Sequence, residues 1–286
     1  MKISVNIFPL MLLLLCSSVW MQGREGYQFV ECDIIPMQES EMHRSHPHIP
    51  GSRSGATETM GNSTSINWSG YVASNNFSTP LANSVSSVSG SWIVPTLKAT
   101  SNNSYSSIWV GIDGYTSPTV EQIGTSHNWV NGAQQNYAWF EMYPGGSYLI
   151  SGFPLNLGDV ISAVVIYSGN NIFTLVIYND TQQLYHVVPT SYTTSATALR
   201  ESAEWIIEAP YLNGVLPLSD FFTAYMWGCM ATINGVTAPI NNTSLGSRNS
   251  WQYRGINMVT TTGAYKDQTS ALLLDQGSFF VVWEHE

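Results

Sequence analysis

Residues 160–188 read VISAVVIYSGNNIFTLVIYNDTQQLYHVV, and this stretch decides the fold class. It contains three runs rich in β-branched and aromatic residues, Val160–Tyr167, Ile172–Tyr178 and Leu184–Val188. A Gly-Asn-Asn sequence and an Asn-Asp sequence separate the runs, and both favour tight turns. Short runs of this kind joined by tight turns are typical of antiparallel strands. The stretch therefore predicts consecutive strands of one sheet.

The same character extends to both sides of this stretch. Val88–Val94 alternates with period two, and Phe279–Trp283 is another β-branched and aromatic run, whereas no capped amphipathic helix of more than two turns is found. The 286 residues are 44% hydrophobic and 12% aromatic, which is enough apolar material for a large core. We therefore predict an all-β domain, a sandwich of two antiparallel β-sheets with one face of each sheet in the core.

The amino-terminal residues have the features of a secretory signal peptide. Lys2 precedes the apolar run Ile7–Leu15, and the small residues 16–18 follow it. The apolar run is shorter than the ~20 residues of a membrane-spanning helix, so cleavage is favoured over an uncleaved anchor. We predict a signal peptide at residues 1–23, a secreted location and no membrane association after cleavage.

Residues 24–60 differ from the rest of the chain. They contain His43, His46 and His48 close to Pro47 and Pro50, and no sustained apolar period. We interpret this segment as a propeptide or exported linker and residues 61–286 as the folded domain. The histidines fit a solvated cluster better than a metal site, and a further hypothesis is a pH trigger, since imidazoles become cationic below pH ~6.5.

Charged residues are scarce in this chain. They make up 10% of the sequence, with nine basic and nineteen acidic residues and a net charge of −10. Nucleic acid is excluded as a partner because its binding needs a basic surface. Acid unfolding is driven by the loss of ion pairs and by cationic repulsion. With few pairs to lose, the domain is expected to stay folded in acid.

Any carboxylate within an apolar strand of such a chain is a candidate for chemistry. Alternation in Ser202–Glu208 places Ala203, Trp205 and Ile207 on the core face and Glu204 on the opposite face. The sequence contains no His-Glu-x-x-His zinc motif and no Gly-x-Ser-x-Gly nucleophile motif. Carboxylate and amide chemistry remains, and the candidate carboxylates are Asp113, Glu121, Glu141, Glu204 and Glu208.

Six short stretches carry a family resemblance. They are Asn67–Tyr71, Ser91–Pro95, Trp109–Gly114, Glu121–Thr125, Trp139–Pro144 and Ala203–Glu208. In order and spacing they resemble the glutamic peptidases, or eqolisins, from about residue 66 to the region of Trp283. Each motif is weak alone, but six in order are specific.

The resemblance implies an acid endopeptidase, made with a signal peptide and a propeptide, on a concanavalin A-like (lectin-like) sandwich of two antiparallel sheets. Position by position, the catalytic Gln of the family falls on Gln122 and the catalytic Glu on Glu204. Asp113, Trp139 and Glu141 fall on residues that line or support the site. Fungal members are usually disulfide-bridged, whereas this domain contains one cysteine, which puts the loops in doubt rather than the dyad.

The chemistry of these residue types agrees with the assignment. Glu204 can take a proton from water and return it to the leaving amine, while the Gln122 amide donates to the oxyanion. This mechanism requires no metal and no cofactor. Expected substrates are unfolded or extended polypeptides, with Trp68, Trp139 and Tyr143 offering side-chain contacts. The chain's own propeptide is a candidate inhibitor, and we expect a monomer.

Two other functions are compatible with the same fold. A glycoside hydrolase would use paired carboxylates such as Glu121, Glu141 and Glu204 in an aromatic cleft. A lectin-like module would bind polysaccharide without hydrolysis. The glycosidase needs two carboxylates, whereas the peptidase needs one carboxylate and one amide, so Gln122→Ala separates them.

Overall fold

The computed structural model describes residues 23–37, 46–51, 62–246 and 248–285. Within them the chain forms eighteen strands and one short 3-10 helix, Thr243–Leu245. No helix in these ranges is long and apolar enough to cross a membrane. Nearly all of the predicted signal peptide lies outside the described residues, as does His43.

The strands are, in chain order, β1 (Gln28–Phe29), β2 (Asp33–Pro36), β3 (Asn62–Ser65), β4 (Trp68–Ser74), β5 (Val85–Ile93), β6 (Ser104–Ile112), β7 (Val120–Val130), β8 (Ala133–Tyr143), β9 (Ser147–Ser151), β10 (Val160–Gly169), β11 (Ile172–Asn179), β12 (Leu184–Val187), β13 (Ser202–Glu208), β14 (Thr223–Ile233), β15 (Val236–Pro239), β16 (Gln252–Met258), β17 (Asp267–Thr269) and β18 (Phe279–Trp283). They form two sheets. The first runs β1-β12-β11-β10-β5-β14-β18-β17, with β15 beside β14, and the second runs β2-β9-β8-β7-β6-β13-β4-β16-β3.

The predicted sandwich is confirmed. β5, β10, β11, β12 and β18 coincide with the predicted strands within two or three residues at either end. Asn170 and Asn171 form the β10–β11 turn with φ of 53° and 60°, a left-handed conformation that Asn tolerates. Both sheets are antiparallel except at two pairs, β1 with β12 and β3 with β16, which are parallel.

The main core lies between the two sheets. Trp92 and Trp205 are fully buried there, and each indole N–H is satisfied, by Thr125 Oγ1 at 2.8 Å and by the Ser89 carbonyl at 2.7 Å. Ala203 and Ile207 join this core as the alternation predicted. Glu204 must therefore point to the outer face of the second sheet.

The described parts of the segment before residue 61 include two short strands. β1 pairs with the edge strand β12, and β2 pairs with the edge strand β9 of the other sheet. Arg24 anchors this part through an ion pair with Asp180 at 3.0 Å. Backbone pairing at a free sheet edge needs no apolar period, which is why the hydrophobic pattern did not reveal these strands.

A buried carboxyl gives the domain a stability that depends on pH. Asp267 is fully buried and accepts hydrogen bonds from Ser69 Oγ at 2.8 Å and the Met258 N–H at 3.2 Å. Burial raises the pKa of Asp267 to about 7. Because the folded state prefers the protonated form, its contribution is complete below the unfolded pKa of ~4 and is lost as pH rises towards 7.

We expect Asp267→Asn to remove this loss. The variant should gain about 4 kcal/mol in unfolding free energy relative to the parent between pH 3 and pH 7. Denaturant unfolding followed by circular dichroism at both values measures the difference. An unchanged pH dependence in the variant would contradict the raised pKa of Asp267. Separately, cooperative unfolding of the parent above pH 3 would contradict the acid stability expected from its composition.

Candidate active site

Four adjacent strands of the second sheet bring the predicted dyad together. In register, Glu141 of β8 lies beside Gln122 of β7, Gln122 beside Gly111 of β6, and Gly111 beside Glu204 of β13. Side chains in one such row point to the same face of a sheet. Gln122 and Glu204 therefore share the outer face, two strands or about 10 Å apart at their Cα atoms.

Gly111 allows close packing between these two side chains. A Cβ atom there would lie 2.9 Å from Trp109 Cζ3 and 3.1 Å from Gln122 Cβ. The absence of a side chain therefore lets the Trp109 ring and Gln122 pack against the backbone between the amide and the carboxyl. Sequence reasoning did not single out Gly111, although it lies within the quoted Trp109–Gly114 motif.

Glu204 is fully buried in this state. Neither carboxyl oxygen meets a hydrogen-bond partner among the described residues. Burial raises the pKa of Glu204 well above its usual range, and the charges of Asp113 and Glu121 raise it further. The Ser202 hydroxyl and the Tyr115 N–H lie nearby and oppose the rise, although neither reaches hydrogen-bond geometry with the carboxyl. A buried polar group without a partner is costly and is typical of functional sites.

Gln122 is also fully buried, and its amide is oriented by a neighbour. Its Nε2 donates to Glu141 Oε2 at 3.3 Å, while its Oε1 has no partner within the described part of the chain. One face of the amide is thus fixed by Glu141. The carbonyl oxygen and the second N–H of Nε2 remain available to a bound molecule.

Asp113 is fully buried and supports the site through the strand that carries Glu204. It follows β6 with φ of 73°, and its carboxylate accepts the backbone N–H of Arg200 at 2.5 Å and of Glu201 at 2.8 Å. These two residues come immediately before β13. Asp113 therefore fixes the start of the strand that carries Glu204.

Aromatic side chains surround the row. Trp68, Trp109 and Trp139 belong to a second apolar cluster on this face, and Tyr143 packs at its edge. Trp68 and Trp109 meet edge to face with centroids 5.0 Å apart. The predicted contact residues Trp68, Trp139 and Tyr143 thus lie on the same face as the dyad, although both tryptophans are covered in this state.

Glu121 lies on the other side of the sheet. It is in register with Ile112 of β6 and Met142 of β8, which both face the main core. Burial raises the pKa of Glu121 well above its usual range. Glu121 therefore cannot act with Glu204 as one of two carboxylates in a single cleft. The glycoside hydrolase mechanism would have to use Glu141 and Glu204 instead.

Part of the segment before residue 61 covers this face. His46 donates its backbone N–H to Glu208 Oε1 at 3.0 Å, and Trp109 Nε1 holds the other Glu208 oxygen at 2.8 Å. Glu208 lies four residues beyond Glu204 on the same face of β13.

In the described ranges no group of three or more His, Cys, Asp or Glu side chains could hold a metal ion.

Known structures share this fold. Scytalido-glutamic peptidase, solved with a transition-state analogue inhibitor, is 22% identical with a TM-score of 0.60, covering 77% of this chain and 98% of its own. The eqolisin SCP-B, in complex with the tripeptide Ala-Ile-His, is 19% identical with a TM-score of 0.58 over the same shares. Aspergilloglutamic peptidase from Aspergillus niger is 22% identical with a TM-score of 0.55, covering 63% and 99%.

No curated protein matches the chain. The model of the Peptidase A4 family, however, matches residues 66–271, which is most of the chain and includes every residue of the row described above. Together with the β-sandwich fold, this match shows that the chain belongs to the Peptidase A4 family, the eqolisins, and is a glutamic peptidase.

Proposed function

We propose that this peptidase is a secreted acid endopeptidase in which Gln122 and Glu204 form the catalytic dyad. The observation that carries the proposal is the row in which these two side chains flank Gly111 on one face of the sheet. After this face is uncovered, a water molecule and a peptide carbonyl bound over this row would lie within reach of both groups.

The chemistry follows from the two functional groups. Glu204 takes a proton from water as the water oxygen attacks the carbonyl carbon. The Gln122 amide N–H donates to the oxyanion of the tetrahedral intermediate. The C–N bond then breaks, and Glu204 returns the proton to the leaving amine. An ordinary Glu has a pKa of ~4.3, so its carboxylate form is available in acidic solution.

The covered state fits an inactive precursor. Burial raises the pKa of Glu204, so in acid the covered side chain is a carboxylic acid and cannot act as a base. Removal of the segment that contains His46 would expose this face to water and return the pKa towards its ordinary value. The segment before residue 61 therefore serves as an intramolecular inhibitor in this proposal. We also propose that the enzyme acts as a monomer.

His48 offers a route for acid to release that segment. Its ring lies against Tyr115 and Trp68, with centroids 4.5 and 6.0 Å away. The pKa of His48 is lowered to about 4, mainly by burial. The charge of Arg254 lowers this pKa further, and a hydrogen bond with the Thr64 backbone opposes the change. The docked segment therefore prefers neutral His48, and docking weakens as pH falls from ~6.5 towards 4.

The proposal predicts acid-dependent proteolysis. The purified exported protein should hydrolyse a denatured protein substrate between pH 2 and pH 7 with a maximum in the acid range. A chelator should leave the rate unchanged, since neither dyad residue needs a metal. Absence of cleavage at every pH after removal of residues 24–60 would contradict the proposal, and polysaccharides would then be the next substrates to offer.

A further inference from the structure

The segment 46–51, His-Pro-His-Ile-Pro-Gly, is bound to the domain as a peptide rather than packed by an apolar face. The His46 N–H donates to Glu208, and the His48 N–H donates to the Gly114 carbonyl at 3.0 Å. The Ile49 carbonyl accepts from the Ile66 N–H at 3.0 Å. Backbone groups are common to every polypeptide, so these contacts do not depend on the sequence of the bound chain.

Asn67 is the residue most committed to this segment. Its side chain is fully buried, its Nδ2 donates to the His46 carbonyl at 3.0 Å, and its Oδ1 accepts from the Ile49 N–H at 3.0 Å. Ser65 Oγ also donates to Oδ1 at 2.8 Å. One amide thus binds a backbone carbonyl and a backbone N–H three residues apart. Without the segment, Asn67 Nδ2 would need another acceptor.

Two aromatic surfaces receive alternate side chains of the segment. The His46 ring lies 4.9 Å from Tyr211 and 6.1 Å from Tyr143, centroid to centroid. The His48 ring lies between Tyr115 and Trp68. Pro47 separates the two histidines, so the two surfaces contact side chains two positions apart in the segment. Flat rings therefore suit both positions.

We propose that Asn67 and Glu208 are the residues that bind the backbone of the substrate in this peptidase. The inference rests on the proposed function and adds a substrate class: extended polypeptide with an aromatic or imidazole side chain at two positions separated by one residue. The substrate makes the hydrogen bonds that residues 46–49 make in the covered state. The position equivalent to Pro47 gives no N–H to the groove, so proline is accepted there.

The position equivalent to Ile49 has the opposite requirement. Its N–H is donated to Asn67, and proline has no N–H to give. Two synthetic peptides that differ at this position alone test the point, namely His-Pro-His-Ile-Pro-Gly and His-Pro-His-Pro-Pro-Gly. With the exported protein after acid processing, the first should inhibit hydrolysis competitively and the second at least about tenfold more weakly, the worth of one hydrogen bond. Equal inhibition would overturn the proposal.

Variants separate binding from folding. Asn67→Ala should raise KM for long peptides about tenfold with little change in kcat, and Glu208→Gln should act in the same direction. Asn179→Ala is the matched control, because this amide is equally buried but donates to the Pro154 carbonyl and to Asp159 beside the other sheet. The control should lower Tm and leave KM unchanged.

The outcomes distinguish this inference from the proposed function. Calorimetric titration of Glu204→Gln with the two peptides needs no catalysis, so the preference for the first peptide is measured even if the parent cleaves nothing. An Asn67→Ala variant that fails to fold leaves the Glu208→Gln kinetics and the peptide pair as tests. Active parent enzyme with unchanged KM in Glu208→Gln and equal affinity for both peptides would refute the inference alone.

Discussion

Glu204→Gln is expected to lower kcat for peptide hydrolysis by at least about 10³-fold, because an amide cannot take a proton from water or return one to the leaving amine. The substitution preserves the volume of a fully buried side chain, so the fold should persist. Gln122→Ala should cost about 10²–10³-fold through loss of an oxyanion donor. Initial rates on a denatured protein at the acid maximum measure both effects.

A carboxyl on the other face of the same sheet gives the matched control. Glu121 is equally buried, and burial raises the pKa of both carboxyls. Glu121→Gln should therefore leave kcat within a few-fold of the parent. Full activity of Gln122→Ala would contradict the dyad and favour chemistry by paired carboxylates.

Glu204→Gln is expected to raise stability although it lowers activity. A carboxyl whose pKa is raised on folding lowers the unfolding free energy as pH rises above its unfolded value of ~4. Glu204→Gln removes this penalty, so the variant should melt at a higher temperature than the parent near pH 7 and at the same temperature near pH 3. Loss of activity and gain of stability in one variant would separate the two roles of this side chain.

The second large effect is expected from one added methyl group. In Gly111→Ala, the new Cβ would lie 3.1 Å from Gln122 Cβ and 2.9 Å from the Trp109 ring. The Trp109 ring or Gln122 must shift, and either movement disturbs the packing that positions the dyad. Misplacement of a reacting group by about 1 Å costs on the order of 10²-fold in rate, so we expect kcat to fall by at least that factor.

Gly90→Ala controls for crowding. There a Cβ would lie 3.1 Å from Trp205 Cδ1 and 3.2 Å from Val110 Cγ1, in the core between the sheets. Both variants should lose about 1–3 kcal/mol of unfolding free energy. Gly111→Ala should also lose activity, whereas Gly90→Ala should keep it. Equal kcat values for the two variants would show that the close packing at Gly111 does not position Gln122 for catalysis.

The strands that the sequence predicted correctly share a physical cause. β10 and β11 combine an alternating pattern with Asn-containing turns, so local signals agree with the fold. The outward direction of Glu204 followed from period two alone, because Ala203, Trp205 and Ile207 needed the core. Period two also separates Glu121 from Gln122, but only the pairing of β6, β7 and β8 showed which face each occupies.

Other features left little local signal. The role of Gly111 depends on lateral register between strands far apart in sequence, and register is a property of the assembled sheet. The docked segment binds through its backbone, which every sequence possesses, so the hydrophobic pattern did not predict its edge strands or its binding as a peptide. Asn67 was noted within a motif, yet its partners come from residues 46–49, which precede it by about twenty positions.

The two short strands β1 and β2 have a consequence for the enzyme if residues 24–60 are removed as proposed. They complete the hydrogen-bonding edges of β12 in one sheet and β9 in the other. Excision of residues before 61 would therefore leave two unpaired backbone ladders at one side of the sandwich, and such ladders invite edge-to-edge aggregation. β9 and β12 are only five and four residues long, and short exposed edges limit that hazard. In the proposed activation, the short length of β9 and β12 would therefore limit aggregation of the processed protein, independently of its chemistry.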